Sequence, residues 1–164
     1  MMKTAVIYFS HTGNSRNIAR YIQKRVPCDL YAVLVEHPYA KTCQALTLEN
    51  GSIEKRYQKD KKSIMETYEL LIFCTPIWWY RIAPASINLL KEIDTNGKVL
   101  IPFLAHGGYG IGNSSEELHQ YCPNAHIPWI NIIPFHMKKM AISFQELNQM
   151  IKNITYIQKK GVKE

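Results

Sequence analysis

The chain has 164 residues, a length that points to one domain and lets a core form without disulfides or metals. Its make-up is 46% hydrophobic, 20% charged and 11% aromatic, which fits a globular protein, and no apolar run approaches the roughly 20 residues of a membrane span. Lysine and arginine exceed aspartate and glutamate by 20 to 13, for a formal charge of +7. Much of that excess is local, in Lys55, Arg56, Lys59, Lys61 and Lys62 and in Lys159, Lys160 and Lys163, and no recognition motif accompanies it. A solvated face and a polar tail are expected, with no nucleic-acid partner.

The N-terminus enters a strand pattern at once and has no zones of a secretory signal, so the expected compartment is the cytoplasm. Ala5-Val6-Ile7-Tyr8-Phe9 is a continuous apolar run, as in a parallel strand buried on both faces. Ile18, Ala19, Ile22 and Val26 then share one helix face, and Pro27 ends that helix. Leu30 to Val35 reads as a second strand. Residues 37–66 are mostly polar around Leu46 and Leu48, and predict a loop with one or two irregular helices. Leu70-Leu71-Ile72-Phe73-Cys74 is a third strand that stops at Thr75-Pro76. Pro84 suits the first turn of a helix carrying Ile87, Leu89 and Leu90 inward.

Val99 to Leu104 is a fourth strand, in which Pro102 calls for a bulge. Ser114-Ser115-Glu116-Glu117 and Ser143-Phe144-Gln145-Glu146 are capping-box patterns that open two more helices. The second helix carries Phe144, Leu147, Ile151 and Ile154 at helical spacing. A short fifth strand is expected near His126 to Ile130. Strands alternating with helices predict a doubly wound parallel sheet, which binds ligands beyond the carboxyl ends of its strands at the switch in strand order.

Three loops fall there. Ser10-His11-Thr12-Gly13-Asn14-Ser15 offers hydroxyls, an amide and a glycine between a buried strand and a helix start. Backbone N–H groups and the helix dipole there can hold a phosphate, or the serine and threonine can simply cap the helix. Thr75-Pro76-Ile77-Trp78-Trp79-Tyr80-Arg81-Ile82-Ala83-Pro84 places three adjacent aromatics, bracketed by prolines, at a strand end. Such a run suits a wall for a flat ring or a subunit contact, which leaves a homodimer open. Ala105-His106-Gly107-Gly108-Tyr109-Gly110-Ile111-Gly112-Asn113 is either a glycine loop whose amides can approach a ligand edge while Tyr109 covers a ring face, or a flexible linker. His106 is either a donor to the ligand or an ordinary polar loop histidine.

No metal site is expected. Cys28, Cys43, Cys74 and Cys122 form no C-x-x-C pair, and the other histidines are scattered. No histidine–acid pair makes a nucleophile of Ser10, Thr12 or Ser15, so hydrolase chemistry is rejected.

The loops Ser10–Ser15, Pro76-Ile77-Trp78-Trp79 and Pro102 to Ser114 together resemble the flavodoxin family, and the resemblance runs along essentially the whole chain. It implies a flavodoxin-like three-layer α/β sandwich, a five-stranded parallel sheet of order 2-1-3-4-5 with helices on both faces, and noncovalently bound FMN. On that resemblance the cofactor-binding residues are Ser10, His11, Thr12, Gly13, Asn14, Ser15, Thr75, Pro76, Ile77, Trp78, Trp79, His106, Gly107, Gly108, Tyr109 and Gly110. The flavin would carry the chemistry, with no catalytic amino acid. The partner is a redox protein or a small-molecule electron acceptor. The alternatives are an NAD(P)H-dependent quinone or FMN reductase, and a non-redox binding module on the same fold. The chain is basic where the family's carriers are typically acidic.

Overall fold

The computed structural model describes residues 1–37, 39, 45–49, 61–137 and 139–162. Cys43, Lys55, Arg56, Lys59 and Lys163 lie outside them. The elements in chain order are β1 (Thr4–Tyr8), α1 (Asn14–Gln23), β2 (Asp29–Leu34), β3 (Ala45–Leu48), α2 (Lys61–Glu66), β4 (Leu70–Trp78), β5 (Arg81–Ile82), α3 (Pro84–Glu92), β6 (Val99–His106), α4 (Ser114–Tyr121), β7 (Asn131–His136), β8 (Lys139–Met140) and α5 (Phe144–Lys160).

Five strands run parallel in the order β2-β1-β4-β6-β7. Counted among themselves, that is the expected 2-1-3-4-5. Antiparallel β3 and β8 extend the two edges, and β5 folds back on β4. The central strands are buried on both faces and divide their side chains between two cores with period two. Ala5, Ile7, Leu71 and Phe73 join Leu89, Leu90 and Leu118 on one face. Val6, Ile72 and Phe103 join Ile18, Ile22, Ile151 and Ile154 on the other. α3 and α4 therefore cover the first face, and α1 and α5 the second.

Several local expectations are corrected. The stretch 37–66 contains a strand: β3 pairs with β2 from Tyr31↔Leu48 to Leu34↔Ala45, and Leu46 is fully buried. Four residues are too few for periodicity to announce a strand. The fifth parallel strand is β7 at Asn131–His136, while only His126 of the expected stretch touches the sheet, through a bridge to Val99. Pro128 within that stretch has no N–H to give a ladder.

Pro102 needs no bulge. The β4–β6 register runs without a slip from Leu70↔Val99 to Pro76↔Ala105. The Pro102 carbonyl accepts from Asn131 Nδ2 at 3.2 Å, on the β7 side. A strand residue's N and C=O point to the same side, so the missing donor also faces β7, whose pairing begins one residue later at Phe103.

The two capping-box patterns part company. Ser143 and Glu146 form a reciprocal box at the start of α5. At α4 the cap is Asn113 without a side-chain bond, Ser114 Oγ donates to Ile111 O, and Glu117 turns to β5. Phe144 is not core either: it is 65% exposed and stacks on Tyr21. Lys61 of the basic run is buried against Glu92 at 2.5 Å. Cys74 and Cys122 are buried free thiols and Cys28 is half-buried. Burial pushes the Cys28 thiol up to about 12 and raises the other two, which keeps all three protonated.

Candidate functional site

The chain leaves β1 toward β2 on one side and later returns to β4 on the other, so the sheet's switch point lies between β1 and β4. A cleft of about 640 Å³ opens over the carboxyl ends of β1, β4 and β6. That is the size range of small-molecule and cofactor sites. None of its described lining residues is Lys, Arg, Asp or Glu. Whatever it holds is met by hydroxyls, amides, imidazoles and aromatic rings.

The first wall is the β1–α1 loop. Ser10, His11, Thr12, Asn14 and Ser15 line the cleft. Gly13 sits behind them as the cap of α1 at φ +97°, its N–H donating to Ser10 Oγ at 3.1 Å. That left-handed backbone favours glycine. α1 has no acidic residue in its first turn and no side-chain cap, so its amino end keeps its positive dipole and its N–H groups for a ligand. Ser15 is 1% exposed, and among the described residues its Oγ has no hydrogen-bond partner. A buried hydroxyl left unpaired costs about 1–3 kcal/mol, and here it sits at the mouth of an anion-favouring helix.

The second wall is a hairpin rather than a loop. β4 does not stop at Thr75-Pro76; it continues to Trp78 and turns back into β5 through Ile77↔Ile82 and Trp78↔Arg81. Trp79 and Tyr80 occupy the two-residue turn at φ 52° and 63°. Turns of this kind usually take asparagine and glycine, because both central residues need positive φ. Bulky side chains there cost roughly 1–2 kcal/mol each, a strain of the sort that concentrates at functional sites. Trp78 is half-buried and held edge-on by Phe9 at 5.6 Å and His11 at 6.3 Å, with Tyr39 tilted against it at 5.2 Å. Trp79 is 87% exposed.

The hairpin is anchored to the residues after the glycine loop. Asn113 N–H donates to Tyr80 O at 3.0 Å, and Gly112 packs on the Tyr80 backbone. Buried Glu117 accepts from Arg81 Nε at 2.6 Å and from Ile82 N–H at 2.8 Å.

The third wall is the glycine loop. His106, Gly107, Tyr109 and Gly110 line the cleft, with Tyr109 81% exposed. His106 Nδ1 accepts from Gly108 N–H and Gly110 N–H, each at 3.1 Å, and burial lowers the imidazole pKa. The ring that the sequence left between ligand donor and plain loop residue thus organises the loop.

Of the sixteen expected site residues, Gly13, Thr75 and Gly108 do not line the cleft. Thr75 is fully buried and its hydroxyl donates to Ser86 Oγ at 2.7 Å, which ties β4 to α3. Tyr39, Tyr80 and Ala105 line the cleft without being among those sixteen. The adjacency of Tyr80 to Trp78-Trp79 was a usable signal, whereas Tyr39 lies in a stretch with no pattern.

Fold and cleft together define a doubly wound α/β protein with a switch-point cleft that has hydroxyls and a helix amino end on one side and aromatic rings on the other. A family model described as flavodoxin matches residues 3–154, and the chain belongs to the flavodoxin family. It is 29% identical over 126 residues to flavodoxin 1 of Escherichia coli, a match that covers 74% of this chain and 56% of that one. The chain therefore spans little more than half the length of the curated relatives it matches. Among solved structures it resembles a flavoprotein in complex with FMN from Lactobacillus acidophilus, at TM-score 0.61 and 14% identity over 80% of this chain and 93% of that one. It also resembles a short-chain flavodoxin associated with a bacterial microcompartment, at TM-score 0.62 and 12% identity over 99% and 100%. At those identities the likeness is one of fold. No helix among the described residues is long and apolar enough to cross a membrane.

Proposed function

We propose that this chain binds FMN in the cleft and passes electrons through it. The observation that carries the reading is the buried, unpartnered Ser15 hydroxyl at the uncapped amino end of α1. A phosphate accepts from such a hydroxyl and from the first-turn amides, and turns an unpaired donor into a paired one. Ser10 and Thr12 add hydroxyls beside it.

Away from the α1 loop the cleft is lined by Trp78, Trp79, Tyr80 and Tyr109. Trp78 is set edge-on by Phe9 and His11, and Tyr109 lines the same cleft from the glycine loop. A flat ring system gains stacking contact there. Trp79 and Tyr80 form the rim. Bound flavin takes up and releases electrons; the protein orients it, limits water and sets its potential. The neutral lining means the phosphate charge is met by hydrogen bonds and dipole rather than by a paired cation. The formal charge of +7 favours an acidic redox protein or an anionic small molecule as the partner.

The first experiment is the visible spectrum of the purified chain, followed by titration with FMN. A yellow preparation, or one that takes up FMN, supports the reading; a colourless chain that ignores added FMN sinks it. Turnover of NAD(P)H with a quinone then separates a reductase from a carrier.

Ser15→Ala gives a sharper check. Removing an unpaired buried hydroxyl should leave the flavin-free protein as stable as before, or up to about 1 kcal/mol more stable. FMN affinity should fall about tenfold for the loss of one charge-assisted bond. Urea unfolding and a fluorescence titration measure the two. A variant that loses stability but keeps its affinity would place Ser15 in the helix cap and not in the phosphate site.

A further inference from the structure

We propose that His106 is the positioning residue of the cleft's glycine end: it locks the loop through Nδ1 and presents one fixed ring proton, on Nε2, to the ligand. Only the identity of what meets that proton rests on the flavin reading.

Two backbone N–H groups, of Gly108 and Gly110, converge on His106 Nδ1 at 3.1 Å each. A ring nitrogen that accepts a hydrogen bond carries no hydrogen, so the neutral ring holds its proton on Nε2. The loop reaches this shape through left-handed backbone at Gly108 and Gly110, φ +107° and +82°.

Two consequences follow. The Gly108 and Gly110 amides, which a glycine-rich sequence offers to a ligand edge, are already used within the loop. The amides of Gly107 and Tyr109 remain on this side, and with them the imidazole, which lines the cleft and whose hydrogen bonds among the described residues both fall on Nδ1, leaving Nε2–H for a ligand. Two donors on Nδ1 also polarise the ring and strengthen Nε2–H as a donor. A ligand acceptor such as a pyrimidine carbonyl of the flavin fits it.

The lock is exclusive of a second proton. Protonation at Nδ1 would set an N–H against two N–H groups, and both bonds would be lost. The other titratable groups lining the same cleft are His11 from the β1–α1 loop, Tyr80 from the β4–β5 turn, Tyr39, and Tyr109 on its own loop. His136 ends the neighbouring strand β7, two residues beyond Pro134, the register partner of His106. None is a carboxylate that would hold an imidazolium, and burial alone lowers the pKa from the ordinary 6.5. The neutral form is therefore favoured by the fold. Its contribution is complete above pH 6.5 and is lost as pH falls through the lowered value.

Nuclear magnetic resonance on the flavin-free wild type tests the lock directly. The expected result is an Nε2–H tautomer at pH 7.5 and a His106 titration midpoint below 6.5, with the Gly108 and Gly110 amide signals moving at the same midpoint. An Nδ1–H tautomer, or glycine signals indifferent to that titration, overturns the proposal.

The second arm measures FMN affinity at pH 7.5 and at one pH unit below the His106 midpoint found by resonance, in wild type and in His106→Asn, whose side-chain oxygen can accept the amides but does not titrate. The phosphate's own protonation is common to both and cancels in the ratio. Acid should weaken the wild type about tenfold more than the variant, the effect of losing two neutral hydrogen bonds. Equal pH dependence overturns the proposal. His106→Asn that fails to fold leaves the wild-type resonances to decide. A wild type with the expected tautomer and titration that binds no FMN sinks the flavin reading and upholds the lock.

Discussion

Gly112→Ala is expected to lower the unfolding free energy by roughly 3 kcal/mol, the sum of an overpacked contact and a left-handed non-glycine residue. A Cβ at position 112 would stand 2.3 Å from Tyr80 Cβ, 2.4 Å from Tyr80 O and 2.8 Å from Tyr80 Cα. Two of those three atoms belong to the main chain of a turn already at φ 63°, so nothing there yields cheaply. Gly112 itself stands at φ +51°, where an L side chain is strained whatever the space.

The same substitution should reach the cleft. Gly112 and Asn113 are where the glycine loop and the β4–β5 turn touch, through the Gly112 contact and the Asn113 N–H bond to Tyr80 O. Pushing that turn outward displaces Trp79 and Tyr80 from the rim and drags on the glycine loop from its far end. FMN affinity is therefore expected to fall at least tenfold, beyond any loss explained by unfolded chain. Gly108→Ala is the control: it shares the left-handed φ, at +107°, but its Cβ meets nothing within 4 Å. It should cost about 1–2 kcal/mol, from backbone strain alone. Urea unfolding of the two variants compares them, and equal losses would show that the Tyr80 contact is unimportant.

How legible was this in the sequence? The first four parallel strands were, because each centres on a short apolar run that stands out whatever its neighbours, whereas the fifth, β7, alternates buried with exposed residues and was expected a few residues too early. So was the α1 loop, since a hydroxyl-rich turn with glycine after a buried strand is a local pattern with a local cause. The edge strands were not. β3 is four residues and β8 is two, and both exist because a neighbouring strand offers its open side.

The hairpin was hidden for a different reason. Turn chemistry predicts two-residue turns from asparagine and glycine, and Trp79-Tyr80 violates it. What holds the aromatics at positive φ is tertiary: Gly112, Asn113 and Glu117 lie more than thirty residues further on. The capping-box pattern at α4 misled for the same cause. Ser114 to Glu117 has the right spacing for a cap, yet the glutamate is claimed by Arg81 and Ile82. His106 carried no sequence signal for its role, because two amides meet one ring nitrogen only after the glycines have curled.

Glu117 gives the other large prediction. β5 is two residues long and pairs with β4 at two positions, and a hairpin so short does not hold itself in water. Glu117 supplies the missing anchorage from α4: one carboxylate oxygen takes Ile82 N–H at 2.8 Å and the other takes Arg81 Nε at 2.6 Å. The two bonds differ in weight. Arg81 has a side chain 65% exposed, so its ion pair is screened by solvent and contributes little. The Ile82 N–H is buried and would be left without an acceptor, at about 1–3 kcal/mol. Glu117→Ala is accordingly expected to cost roughly 2–3 kcal/mol, while Arg81→Ala costs clearly less. Glu117→Gln, which keeps an oxygen for Ile82 N–H, should fall between them. Hydrogen exchange at the Ile82 amide should accelerate in Glu117→Ala and stay slow in Arg81→Ala, with FMN affinity following the same order because Trp78 and the rim aromatics ride on this hairpin. Comparable losses from Arg81→Ala and Glu117→Ala would mean that the ion pair, and not the buried amide, fixes the second wall of the cleft.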